Sequence, residues 1–246
     1  MGDFISNVGD LVSSKIYSNP SFGVIKYHSL MIGNRALSYL RLEGGNCSRS
    51  IEYPWVLDNL KLSKGKRVLD VGCCRSFFSH VLIARGYDVY GLDVNPYPGK
   101  HPNLKFYQCD VRNTPFDDEY FHTIIAISTI EHIGIGYYGD PKYKDGDILT
   151  MKELKRILKK DGQILITLPY CKQYMQTGAE RIYDEKRIKS LIEGLLLDKK
   201  DYYVYHGLGR WSKVSYEEAV KSRSSLPCSK IRTTVCLALR KINEGI

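Results

Sequence analysis

From about residue 64 the chain settles into short apolar runs separated by stretches of helical spacing. Residues 67–72 (Arg-Val-Leu-Asp-Val-Gly) form a short apolar run closed by glycine. Between Ser76 and Arg85 the apolar residues Phe77, Phe78, Val81 and Leu82 recur at helical spacing, and Gly86 stops them. Residues 88–93 and 104–110 predict a second and a third strand. Residues 122–128 predict a fourth, nearly all apolar, as a strand buried on both faces should be. Thr150 and Glu153 have the spacing of a capping box and predict a helix over 151–160, ended by Asp161-Gly162. A fifth strand follows at 163–168. Asp184 predicts the start of a helix reaching about residue 197, and 202–206 and 233–239 predict two closing strands. Strand, helix and strand repeated at this spacing mean crossover units and a mainly parallel sheet. Residues 1–60 read as an N-terminal cap segment, irregular with short helical pieces and turn signals at Asn19-Pro20 and Glu43-Gly44-Gly45-Asn46. Residues 61–246 complete what reads as one α/β domain.

Composition narrows the class. With 246 residues, 43% hydrophobic and 26% charged, the chain has the make-up of a folded globular protein. No run approaches the ~18 uncharged apolar residues of a spanning helix, so no membrane span is expected. The N-terminus lacks a basic segment followed by an apolar core, so no secretory signal is expected. Gly2 and Ser6 match a myristoylation pattern only superficially. The seven cysteines are odd in number and form no C-x-x-C pair, which fits reduced thiols in a cytoplasmic protein. Oligomeric state is not legible here. The net charge of +9 is one-sided: residues 1–150 hold 16 basic and 16 acidic residues, residues 151–246 hold 20 and 11. A basic half could meet RNA, although solvated lysine-rich faces are the simpler explanation.

Chemistry should collect just beyond the carboxyl ends of parallel strands. After the first strand come Asp70, Gly72, Cys73, Cys74 and Ser76; after the second, Asp93, Val94 and Asn95; after the third, Asp110 and Val111; after the fourth, Ser128 to His132. Gly72 allows a tight turn and lets a ligand approach backbone. Asp93 can accept both hydroxyls of a ribose, and Asp110 can accept from an exocyclic amine. Together these are the groups of an adenosine. Each acid alone could equally be a helix cap. No Walker lysine is present, which disfavours a nucleoside triphosphatase.

These residues resemble those of class I S-adenosylmethionine-dependent methyltransferases. Residues 68–73 (Val-Leu-Asp-Val-Gly-Cys) resemble the family's first motif, Asp93 its ribose-binding acid, and Cys109-Asp110-Val111 its adenine-side motif. Residues 164–169 (Ile-Leu-Ile-Thr-Leu-Pro) resemble a later strand. The similarity covers roughly residues 60–170. More narrowly, residues 130–141 resemble a poorly characterised group suspected of acting on sugars or cell-surface glycans. The resemblance implies a Rossmann-like, mainly parallel seven-stranded sheet with helices on both faces and an N-terminal cap, and S-adenosyl-L-methionine as cofactor. The usual first motif has glycine at three alternate positions; here Gly72 is followed by Cys74 and Ser76. Those two resist positive φ. The departure weakens a dinucleotide reading further, because that turn must cradle a pyrophosphate.

Methyl transfer to a hydroxyl needs a base for its proton. His132 is the candidate, with Glu131 orienting a residue or the acceptor; alternatively the pair shapes the pocket. Ser128 stands where some quinone O-methyltransferases place a second carboxylate, so no metal site is expected. Tyr137 and Tyr138, in a Gly- and Tyr-rich loop, and Arg49 and Tyr53, before the first strand, are candidate substrate contacts. Arg49 could also meet the cofactor carboxylate. The reading is O-methylation of a small molecule or glycan. The alternatives are RNA methylation and a non-catalytic S-adenosylmethionine-binding module.

Overall fold

The computed structural model describes residues 48–99, 101–207, 209–221 and 233–242. The Gly2 pattern, the turn signals at 19–20 and 43–46, Cys47 and Cys228 lie outside the described residues. The chain divides into two units, Met1–Gly45 and Asn46–Ile246; the fold below is that of the second.

The elements, in chain order, are α1 (Arg49–Asn59), β1 (Arg67–Val71), α2 (Phe78–Ala84), β2 (Asp88–Asp93), β3 (Leu104–Gln108), β4 (Phe121–Ile127), α3 (Gly146–Ile157) and β5 (Leu158–Pro169). There follow β6 (Met175–Gln176), β7 (Arg181–Ile182), α4 (Glu185–Leu191), β8 (Leu195–Gly207), β9 (Arg210–Val214), α5 (Tyr216–Lys221) and β10 (Thr233–Lys241). The main sheet runs β3-β2-β1-β4-β5-β10-β8-β9, and β6-β7 form a separate ribbon. The pairings from β3 across to β5 are parallel. Those joining β5, β10, β8 and β9 are antiparallel.

The core explains why the strands read as continuous apolar runs. Consecutive strand residues point to opposite faces, and both faces are covered. Leu69, Tyr90, Ile124 and Ile164 pack on one side with Met151, Leu154 and Ile157 of α3. Their neighbours Val68, Val89, Ile125 and Leu165 pack on the other with Trp55 and Val56 of α1 and Phe78 and Leu82 of α2. Trp55 is a core residue whose indole donates to Asp201 at 2.8 Å.

Several expectations change. The main sheet has eight strands, not seven, because β9 adds an edge hairpin to β8. The capping box does not form. The helix already starts at Gly146. Thr150 lies inside it, its hydroxyl donating to the Gly146 carbonyl at 2.7 Å, while Glu153 accepts from Thr114 and Arg156. Nor does Asp161-Gly162 end that helix. The β4–β5 register jumps from Phe121↔Leu158 to Thr123↔Gln163, so residues 159–162 bulge out within β5. Asp184 does cap a helix, accepting from the Arg187 amide at 2.8 Å. That helix ends at Leu191, and by Leu195 the chain is β8.

Candidate cofactor and acceptor site

Parallel pairing aligns the carboxyl ends of β1, β2 and β3 on one edge. The Gly72 amide donates to the Leu92 carbonyl at 2.7 Å, and the Cys109 amide to the Asp93 carbonyl at 3.0 Å. Gly72, Asp93 and Asp110 are therefore carried by adjacent strand ends. Gly72 is left-handed (φ 75°). A Cβ there would meet the Thr129 side chain at 2.5 Å, so both conformation and packing require glycine. Thr129 is fixed in turn by donating to the Val71 and Ile127 carbonyls. Cys74 lies in a short 3-10 turn and Ser76 is extended at φ −131°. Neither needs positive φ, so the absence of glycine at these two positions costs the turn nothing.

The Asp93 carboxylate is held by backbone. One oxygen accepts from the Cys74 amide at 3.0 Å, the other from the Asn95 amide at 2.9 Å. It thus ties the first turn to the second strand end. Cys74 Sγ donates to the Asn95 carbonyl, and the Val94 carbonyl accepts from Gln108. Asp110 is bound by the Arg112 guanidinium, with Nε at 3.0 and 3.1 Å from its two oxygens. Those hydrogen bonds hold its carboxyl below the usual range, although partial burial opposes them.

Three residues expected to touch the cofactor are turned inward. Cys73 is fully buried, and Val111 belongs to the core. Asp70 is also buried and accepts from the Ser79 hydroxyl at 2.6 Å. Its pKa is pushed up to about 7, chiefly by burial. These three side chains support the turn rather than line it.

The acceptor side starts at the end of β4. Ser128 is left-handed (φ 44°), an uncommon conformation for a residue with a Cβ. Its hydroxyl donates to Glu52 at 2.6 Å. A 3-10 turn, Ile130–His132, follows. His132 Nδ1 lies 2.6 Å from the Ala179 carbonyl. A carbonyl only accepts, so Nδ1 carries a proton. Glu131 Oε1 is 3.9 Å from that Nε2. Glu131 is buried, its Oε2 has no hydrogen-bond partner, and burial holds its carboxyl well above the usual range. A buried carboxyl thus lies beside the His132 ring. Tyr138 packs edge-on against His132, and Tyr137 against Tyr138.

Helix α1 brings its first turn to the same edge. The Tyr53 and Ser76 hydroxyls share a hydrogen bond at 3.0 Å. Arg49, about a third exposed, pairs with buried Glu52. Glu52 was not singled out in the sequence, yet it also accepts from Ser48, Ser128 and Thr167. The i, i+3, i+4 spacing of Arg49, Glu52 and Tyr53 was the available signal. Arg181 is fully buried: it donates to the Ile133 and Tyr143 carbonyls and faces Asp147. His206 bonds Ser212 on the β8–β9 hairpin. Cations of the basic half are partly neutralised: Lys199 and Lys213 pair with Asp201, Lys200 with Glu185 and Arg240 with Asp198. No described helix is long and apolar enough to cross a membrane. A cavity lined by Gly65, Gly86, Asp88 and Lys105 opens at the opposite, amino edge of the strands.

Known proteins match this arrangement. The family model for FtsJ-like methyltransferase matches residues 53–135, spanning the Gly72 turn, both acids and His132. A second model, Caenorhabditis protein of unknown function DUF268, matches residues 110–202. A curated Ubiquinone biosynthesis O-methyltransferase of Azorhizobium caulinodans is 25% identical over 139 residues, 50% of this chain and 54% of that protein. The chain thus spans about half the length of that relative. Among solved structures, a Burkholderia thailandensis 1,6-didemethyltoxoflavin-N1-methyltransferase with bound S-adenosylhomocysteine has TM-score 0.55 and 13% identity, over 89% of this chain and 91% of that one. A SAM-dependent methyltransferase from Methanosarcina mazei has TM-score 0.53 and 14% identity, over 76% and 97%. In fold the chain is similar to these S-adenosylmethionine-dependent methyltransferases, and its residues 53–135 match the FtsJ-like methyltransferase model.

Proposed function

We propose that the protein transfers a methyl group from S-adenosylmethionine to an oxygen of a small molecule or glycan. The observation that carries this reading is the alignment of Gly72, Asp93 and Asp110 on adjacent strand ends, with Glu131-His132 following the next strand, β4. The residues fit the cofactor. The Gly72 turn is a cradle that a Cβ would fill, Asp93 offers a preorganised carboxylate for the ribose, and Asp110 offers one for the adenine amine. Arg49, in the first turn of α1, is the candidate for the cofactor carboxylate.

The bound sulfonium supplies an activated methyl group and a good leaving group. The chain's own work is to position the acceptor in line and take its proton. His132 Nε2 is the base, because Nδ1 is committed to Ala179. Glu131, buried and with an oxygen that has no hydrogen-bond partner among the described residues, orients the acceptor. Tyr137 and Tyr138 offer ring faces for a sugar or a small ring.

Calorimetry with S-adenosylmethionine, then methyl-release assays over hydroxylated metabolites, glycans and RNA, test the proposal. Turnover on a hydroxylated small molecule or glycan is the expected result. Turnover confined to RNA, with affinity falling steeply as salt rises, would move the acceptor class. Binding without turnover would favour a cofactor-binding module, and absence of binding would overturn the reading.

A further inference from the structure

We propose that Arg112 is a positioning residue that links the nucleotide side of the site to the acceptor loop, so that cofactor binding and closure of that loop favour each other. This rests on the cofactor reading above. The Arg112 backbone amide and its Nε both donate to Asp110 Oδ1, at 2.9 and 3.0 Å, and Nη2 donates to Oδ2. From the same guanidinium, Nη1 donates to the Pro141 carbonyl at 3.3 Å, and the plane lies 4.0 Å from the centre of the Tyr143 ring. Pro141 and Tyr143 lie in the loop between the Glu131-His132 turn and α3. The Arg112 side chain is only 8% exposed, because the loop covers it.

The loop has a defined closed form for this contact to stabilise. The Tyr143 amide donates to the Gly134 carbonyl at 2.7 Å, and the Asp140 carboxylate accepts from the Gly134 and Gly136 amides. Its base is fastened by Arg181, through the Ile133 and Tyr143 carbonyls. That fastening is fully buried and owes nothing to a ligand. The Arg112 fastening differs, because the carboxylate that orients it is also the one offered to the nucleotide. A donor arriving on Asp110 restrains the carboxylate, hence the guanidinium, hence Tyr143. By linkage, a closed loop must strengthen nucleotide binding by the factor with which the nucleotide favours closure.

Hydrogen exchange at the Gly134, Gly136 and Tyr143 amides, with and without S-adenosylhomocysteine, tests this in the full chain. In the wild type the ligand should slow exchange by at least about five-fold, the low end of ordinary coupling between sites. Arg112→Ala, at ligand concentrations that calorimetry shows to be saturating, should reduce the slowing below about two-fold. Tyr143→Ala leaves the Asp110–Arg112 pair in place. It should therefore bind the ligand but lose the slowing, and it decides the matter if the Arg112 variant fails to fold. Full slowing in either folded variant, or none in a wild type that binds, would overturn the proposal. Failure of the wild type to bind S-adenosylhomocysteine would instead overturn the cofactor reading beneath it.

Discussion

The proposed nucleotide side and the proposed acceptor side of this site are built on different principles. On the nucleotide side, Gly72, Asp93 and Asp110 act from adjacent strand ends, and the two acids are held by backbone amides or by a residue close in sequence: Cys74, Asn95, Arg112. On the acceptor side, each feature is imposed from afar. His132 takes its tautomer from Ala179, 47 residues on; Ser128 is held by Glu52, 76 residues back; the loop is held by Arg181. A sheet edge alone can assemble the first kind of site. The second needs the rest of the domain folded around it.

The comparison can be broken at several points. The largest effect expected is on turnover: His132→Ala should lower kcat by about 10²- to 10⁴-fold, the usual contribution of general base catalysis, with cofactor affinity unchanged by calorimetry. Undiminished turnover would make the acceptor side a pocket wall rather than a proton acceptor. Arg181→Ala should lower the unfolding free energy by about 3–5 kcal/mol in urea titration, because Asp147 loses one of its buried partners. A loss below about 1 kcal/mol would show that the loop does not need its buried anchor. Asp93→Ala should weaken S-adenosylmethionine binding by about 10- to 100-fold, from charge-assisted hydrogen bonds contributing about 1.5–3 kcal/mol. An unchanged Kd would remove Asp93 from the nucleotide side.

The smallest effect near neutral pH concerns Asp70. Its carboxyl has a folded pKa of about 7 against about 3.9 in an unfolded chain. The folded state therefore holds the proton more tightly. The stability this contributes is fully present below about pH 4 and is lost as pH rises through 7. Asp70→Asn should flatten that part of the pH–stability curve measured between pH 4 and 8. A curve that keeps its shape would show that the buried acid does not titrate with folding.

Much of the nucleotide side was legible before any fold was known. Short apolar runs with a glycine or acid at their ends are local signals, and parallel pairing then aligns the ends automatically. The apolar doublets Val68-Leu69 and Ile124-Ile125 foretold a sheet covered on both faces, because each member of a doublet must be buried on its own side. Boundaries were less legible. Thr150-x-x-Glu153 has the letters of a cap, but Glu153 is drawn to Thr114 and Arg156, and the helix begins a turn earlier.

The sequence by itself determined the order of strands and helices, the glycine at the first turn and the acids after the second and third strands, since all of these follow from local periodicity and backbone sterics. Tertiary structure alone decided that Asp70, Cys73 and Val111 turn inward, that Glu52 joins helix α1 to the ends of β4 and β5, and that Arg112 spans from Asp110 to Tyr143. Burial and hydrogen-bond partners across many tens of residues are properties of packing, and no pattern along the chain carries them.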